Sequence, residues 1–117
     1  MEYDKERIPM NDTMQSLYSV VLDRKANPQE GSYTCYLFDK GLDKILKKVG
    51  EECAETIIAA KNGVKEDTVG EISDLIYHLM VMMAQQNIPL EDVMAELDRR
   101  SLKIGNLKTT KQVDRET

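Results

Sequence analysis

The chain has no tryptophan, one phenylalanine, one histidine, two cysteines and three prolines in 117 residues. Each scarcity excludes something. Cys35 and Cys53 are too few and too widely spaced for a disulfide framework or a zinc cluster, and His78 is the only histidine to help them. Both cysteines are expected as free thiols in a reducing cytoplasm. A single histidine also argues against a di-iron carboxylate bundle, which uses a Glu-x-x-His pair on each of two helices. There is no Gly-x-Ser-x-Gly elbow and no Gly-x-x-x-x-Gly-Lys phosphate loop, so neither a serine nucleophile nor a Walker-type NTPase is indicated. β-branched residues nowhere alternate with polar ones over a useful length, which leaves no strand. No apolar run reaches the roughly 20 residues of a membrane span, and no basic segment with an apolar h-region opens the chain. The formal charge of -5 argues against nucleic acid as a partner. The expectation is a cytoplasmic protein that binds neither membrane nor nucleic acid.

What remains reads as helix throughout. Met14, Leu17, Tyr18 and Val21 follow the i, i+3, i+4, i+7 spacing of a first helix that Asn11 or Asp12 can cap and Asn27-Pro28 ends. Ser32 is a good N-cap for a short helix to about Lys40, with Gly41 as its stop. A long helix is expected from about Leu42 to Lys61, closed by Asn62-Gly63, and another from about Lys65 to Gln86. Pro89 then precedes a last helix with Leu90, Val93, Met94 and Leu97 on one face. The segment 1–10 is polar, aperiodic and interrupted by Pro9, so it reads as a flexible extension. From about Lys108 the apolar period is lost and 108–117 reads as a disordered tail. One all-α domain, 11–107, lies between them.

Two carboxylate clusters stand out, Glu51-Glu52-x-x-Glu55 and Glu71-x-x-Asp74, each inside one of the two long helices. At about 100° per residue, with Glu51 at zero, Glu55 falls at about 40° and Glu52 at about 100°, with Lys44 and Lys48 on the same strip. The opposite side carries Ile45, Leu46, Val49, Cys53, Ile57 and Ala60 and is expected to be the core face, with Cys53 as a packing residue. Ile58 and Ala59 continue the acidic side, so this helix is expected to be covered on both sides. A chain this short has limited interior, and a second copy is the natural cover.

The stretch from Ile72 to Ala84 is apolar in nearly every direction, which places it in the middle of a bundle. Its strong polar groups, Glu71, Asp74 and His78, share one narrow stripe.

An acidic pair on a helix is ordinarily a solvated face. Two acidic patches on the two most apolar helices are another matter. Such groups repel one another and are costly to desolvate unless a cation holds them together. A hard divalent ion with oxygen ligands, Mg²⁺, is the simplest candidate. Phosphoanhydrides resist water because their oxygens are negative, and a carboxylate-held cation can neutralise that charge and orient a water. Glu51, Glu52, Glu55, Glu71 and Asp74 are the candidate metal ligands and catalytic residues. Which of them accepts a proton is left open; Glu52, set apart from the Glu51-Glu55 line, is the candidate base. Lys44 and Lys48 can hold phosphate oxygens, although solvated lysine is an equal reading. His78 reads more readily as a supporting core residue than as a metal ligand.

The pattern Glu-Glu-x-x-Glu followed by Glu-x-x-Asp resembles that of the all-α nucleoside triphosphate pyrophosphohydrolases, the group of MazG and the dimeric dUTPases. Within it, the runs Leu22-Asp23-Arg24-Lys25-Ala26-Asn27-Pro28, Gly31-Ser32-Tyr33-Thr34 and Lys44 to Glu52, with Asp74-Leu75-Ile76-Tyr77-His78-Leu79, Glu91-Asp92-Val93 and Arg99-Arg100, resemble the phosphoribosyl-ATP pyrophosphatase family. The likeness covers about residues 14 to 100. It implies a MazG-like bundle of four to five helices completed by dimerisation. It also implies Mg²⁺-dependent cleavage of phosphoribosyl-ATP, a nucleotide ligand of ATP type, to phosphoribosyl-AMP and pyrophosphate, the second step of histidine biosynthesis. One to three Mg²⁺ ions are expected. Ser32, Tyr33 and Thr34 match the family's Gly-Ser-Tyr-Thr segment at a helix N-terminus, a natural anion site, and Tyr77 and His78 can face the nucleotide. The family enzyme is often fused to a phosphoribosyl-AMP cyclohydrolase, for which this chain has neither the length nor the Cys/His content, so a separate cyclohydrolase is expected to act next. A house-cleaning MazG-like or dUTPase-like hydrolase would use the same carboxylates, and a purely structural helical dimer would use none of them.

Overall fold

Local punctuation decides where the helices begin and end. A computed structural model describes residues 10–104, and the described residues are helical with no strand. The expected extension and tail lie outside the described residues, apart from Met10. Helix α1 runs Met10–Ala26, α2 Tyr33–Lys40, α3 Leu42–Asn62, α4 Lys65–Gln85 and α5 Leu90–Ile104. Helix α1 is already under way at Met10, so neither Asn11 nor Asp12 is its cap. Ser32 caps α2 as expected: its backbone is extended and its Oγ accepts the Cys35 N–H at 3.1 Å. Gly41 ends α2 at φ 95, and Gly63 ends α3 in the left-handed region at φ 81, donating its N–H to Ala59 and Ala60. Glycine takes those conformations without the steric penalty of a Cβ.

The short link after Asn62 folds α3 and α4 into an antiparallel helical hairpin, the most extensive packing among the described residues. Helices α1 and α2 pack on α4, and α2 also packs on α3. Tyr18 and Val21 of α1, Leu37 of α2, Ile45 of α3, Met80, Val81, Met83 and Ala84 of α4 and Leu90 of α5 form one apolar core. It lies at the end of the hairpin remote from the link. Two side chains fasten the turn after α4: Tyr18 donates its hydroxyl to the Ile88 carbonyl at 2.6 Å, and Lys25 Nζ donates to the Ala84 carbonyl at 2.8 Å.

The face of α3 is a correction to the sequence reading. The side facing α4 carries Ile45, Glu52, Thr56 and Ala59, so the carboxylate of Glu52 points into the seam. Of the expected core face only Ile45 is buried; Leu46, Cys53, Ile57 and Ala60 are exposed on the protomer. Small groups explain the choice, because Thr56 and Ala59 let the helices approach where larger side chains would hold them apart. The C-terminal half of α4 is central as expected, whereas Val69 and Ile72 in its first half are exposed. No helix among the described residues is long and apolar enough to cross a membrane.

Candidate metal centre

Nearer the link, the hairpin seam is lined by acids. One carboxylate oxygen each of Glu52, Glu55 and Glu71 lies within 4.8 Å of the others. Glu52 is only 6% exposed, and its Oε1 and the Oε1 of Glu71 are buried without a hydrogen-bond partner. Burial, a hydrogen-bonding contact with the Glu55 carboxyl, and the charges of Glu55, Glu52 and Asp74 hold the Glu71 carboxyl above the usual carboxylate range. Buried acceptors with no donor are costly, and three converging carboxylates compound the cost. An oxygen-seeking divalent cation removes both penalties at once, so the donor set fits Mg²⁺. Asp74, exposed one turn beyond Glu71, lines the same cleft of about 440 Å³ with Glu55, Ala59, Asn62, Gly70 and Glu71.

Glu51 stands apart from the three. Its oxygens lie 3.1 Å from Lys48 Nζ and 3.9 Å from Lys47 Nζ, and the hydrogen bond from Lys48 is the main reason its carboxyl lies below the ordinary range. Lys48 also lies 3.9 Å from Glu52 Oε2. One ammonium therefore joins the edge of the acidic cluster to Glu51. Lys44 is 6.0 Å from the Tyr36 ring centroid. Arg99 and Arg100 are exposed on α5 and engaged with Glu96.

The start of α2 meets α4 beside this centre. His78 is buried; its Nδ1 lies 2.7 Å from the Asp74 carbonyl oxygen, and its Nε2 lies 3.0 Å from the Tyr33 hydroxyl. A carbonyl can only accept, so Nδ1 carries the proton and Nε2 accepts from Tyr33 O–H, a tautomer assigned from these partners. Thr34 and Tyr77 share a short hydroxyl–hydroxyl hydrogen bond. The Tyr33 ring stacks on Tyr36 and Tyr77, with centroids 6.0 and 6.2 Å apart. Tyr33, Thr34, Tyr77 and His78 are thus brought together, chiefly as one another's partners.

Two residues of the site escaped the sequence reading. Thr56, four positions after Glu52, could have been found as the polar residue between the two acid clusters on the inward face. Tyr36, three positions after Tyr33, has Lys40 and Lys44 within 6.0 Å of its ring centroid. A larger cavity of about 710 Å³ lies between α1 and the α4–α5 link, but the Tyr18 hydroxyl and Lys25 ammonium that line it are engaged with backbone carbonyls. The acids line the smaller cleft.

An all-α hairpin that gathers converging carboxylates in its seam has the arrangement of the all-α nucleoside triphosphate pyrophosphohydrolases, a class of hydrolase. Residues 14–101 match the family described as phosphoribosyl-ATP pyrophosphohydrolase, and the chain belongs to that family. It is 55% identical over 97 residues to a phosphoribosyl-ATP pyrophosphatase of Clostridium novyi, a match covering 83% of this chain and 88% of the relative. A phosphoribosyl-ATP pyrophosphatase of Listeria monocytogenes is 52% identical over 101 residues, 86% of this chain and 97% of the relative. The histidine biosynthesis bifunctional protein HisIE of Caldanaerobacter subterraneus is 54% identical over 98 residues, 84% of this chain and 48% of that longer protein.

Proposed function

We propose that this enzyme hydrolyses the α-β phosphoanhydride of phosphoribosyl-ATP, releasing pyrophosphate and phosphoribosyl-AMP, with Mg²⁺ held in the seam of α3 and α4. The observation that carries the reading is the convergence of Glu52, Glu55 and Glu71, with one buried, unpartnered oxygen on each of Glu52 and Glu71, in a chain of this family. Glu52, Glu55, Glu71 and, at the cleft mouth, Asp74 are the residues that hold the ion. Glu51 takes part through Lys48. Bound Mg²⁺ supplies charge neutralisation at the phosphoryl oxygens and lowers the pKa of a water that it binds. The chain's own residues do the rest. Glu52, dry on one side and close to Lys48, is the candidate to accept the water's proton. Lys48 and Lys44 attract the polyphosphate along the edge of α3, and Tyr33 and Tyr36 present exposed rings beside it. Tyr77 and His78 hold Thr34 and Tyr33 at the start of α2 against α4, and Ser32 caps that helix.

The test is pyrophosphate release from phosphoribosyl-ATP, dATP, dUTP and ATP at equal concentration, with Mg²⁺ and then with EDTA. Chelator-sensitive preference for phosphoribosyl-ATP is expected. Preference for a simple nucleotide would move the function to cleansing of the nucleotide pool, and no release from any of them would end the hydrolytic reading. A phosphoribosyl-AMP cyclohydrolase is the proposed next enzyme, and the cytoplasm the proposed compartment.

We also propose that the working unit is a homodimer. Leu46, Ile57, Ile58, Val69 and Ile72 are exposed on the two long helices, an apolar surface that a second copy can cover. Ile57, 68% exposed, is the most open of them. Light scattering is expected to give twice the 13.4 kDa chain mass, and Ile57→Glu to shift it toward the single mass. A wild-type protein that scatters as a monomer at micromolar concentration rejects the dimer.

A further inference from the structure

Thr56 sits one turn beyond Glu52 on the inward face of α3. Its Oγ1 lies 2.7 Å from the Glu52 carbonyl oxygen and 3.2 Å from the Glu71 carbonyl oxygen. The first contact is the usual bond of a helical threonine to the carbonyl four residues back. The second crosses from α3 to α4. A hydroxyl has one proton, so Thr56 donates to the two oxygens as a three-centre bond, and each carbonyl has a second lone pair to accept it. The two residues so joined are the same two whose carboxylates each keep a buried oxygen without a partner.

Repulsion between those carboxylates pushes α3 and α4 apart at this level, where the neighbouring groups are as small as Ala59 and Gly70. Side chains as small as these bury little apolar surface, so a polar tie has more to do here than it would in the core. We propose that Thr56 is a positioning residue for the acidic centre. It fastens the Glu52 and Glu71 backbones together, sets the separation of their carboxylates, and keeps them convergent before a cation arrives. The inference rests on reading the centre as a cation site.

Mn²⁺ serves as the probe, with free ion counted by its electron paramagnetic resonance signal, on wild type, Thr56→Val, Thr56→Ser and Thr68→Val. Valine keeps the shape and removes the hydroxyl; serine keeps the hydroxyl. Thr68 makes the same backward bond, to the Val64 carbonyl at 3.1 Å, on an exposed stretch of α4. Thr56→Val is expected to raise the Mn²⁺ Kd about tenfold, Thr56→Ser to stay within about twofold, and Thr68→Val to change nothing. In turnover assays Thr56→Val is expected to need more Mg²⁺ for half-maximal rate while kcat at saturating Mg²⁺ is largely retained. A general loss of structure would not give that split. If Thr56→Val does not fold, Thr56→Ala carries the same test. Folded Thr56→Val or Thr56→Ala with wild-type Mn²⁺ affinity overturns the positioning role and leaves the cation site standing. Wild-type protein that binds no Mn²⁺ overturns the cation reading and this inference with it.

Discussion

Glu52→Gln is expected to lose activity by about 10³-fold in kcat, equivalent to about 4 kcal/mol of transition-state stabilisation, while the cation-free protein becomes more stable. The two effects have one cause. Glu52 is 6% exposed, and its Oε1 has no donor. In the absence of a cation its charge costs more to bury than the single contact with Lys48 at 3.9 Å returns. Glutamine removes the charge at the same volume, which is expected to raise the cation-free Tm by about 5 °C. It also removes a ligand, so the rise in Tm that Mg²⁺ gives the wild type should be much reduced. Calorimetric scans with and without Mg²⁺, beside turnover, check all three. A Glu52→Gln variant that is less stable without Mg²⁺ and still active would mean that Glu52 serves the fold through Lys48 and not the site.

Glu71 extends the same logic to pH. Its folded carboxyl lies above the ordinary value of 4.5, chiefly through burial and then through Glu55, Glu52 and Asp74. The folded chain therefore holds this proton to higher pH than the unfolded chain does. Cation-free stability is expected to fall as pH rises from about 4.5 through the raised folded value, because ionisation is disfavoured only in the folded state. Above that window the deficit is constant. Glu71→Gln is expected to flatten this part of the curve, and Mg²⁺ to offset the loss most at the high-pH end. Urea unfolding at a series of pH values reads it directly. A wild-type curve that climbs through this window on account of Glu71 would reverse the sign and remove the case for a crowded acidic seam.

How much of this was legible in sequence depended on whether the information was local. Ser32, Gly41, Asn62-Gly63 and Pro89 act within a turn of where they stand, so four of the helix limits came out within a residue or so. The pairing of the acid clusters was legible too, because a short link makes α3 and α4 neighbours and brings Glu52 and Glu55 level with Glu71. The rotation of α3 was not. A hydrophobic count finds Leu46, Val49, Cys53 and Ile57 without saying which surface will cover them, and on the protomer most of that stripe is open. The inward face is instead chosen by the small residues Thr56 and Ala59 and by what Glu52 can reach across the seam. The tyrosines show the same limit. Sequence marks Tyr33 by its Gly-Ser-Tyr-Thr segment and Tyr77 and His78 as polar groups in an apolar helix, and only coordinates reveal that they are one another's partners.

His78 spends both ring nitrogens on the protein, Nδ1 on the Asp74 carbonyl and Nε2 on Tyr33. It also meets the Tyr77 ring edge-on with centroids 4.8 Å apart. His78→Ala therefore removes two hydrogen bonds and leaves a cavity beneath α2, an expected loss of about 3 kcal/mol of stability. Tyr33→Phe keeps the ring stack and leaves Nε2 without its donor, an expected loss of about 1 kcal/mol. Because both act on one contact, the double variant is expected to lose less than the two single losses added together, with a coupling of about 1 kcal/mol in urea unfolding. Through the shared Asp74 carbonyl and the start of α2, the catalytic effect is expected to be indirect and modest. Suppose instead that His78→Ala leaves stability unchanged and raises KM for phosphoribosyl-ATP at least tenfold. The imidazole then belongs to the ligand, and the Tyr33 contact gives way when substrate binds.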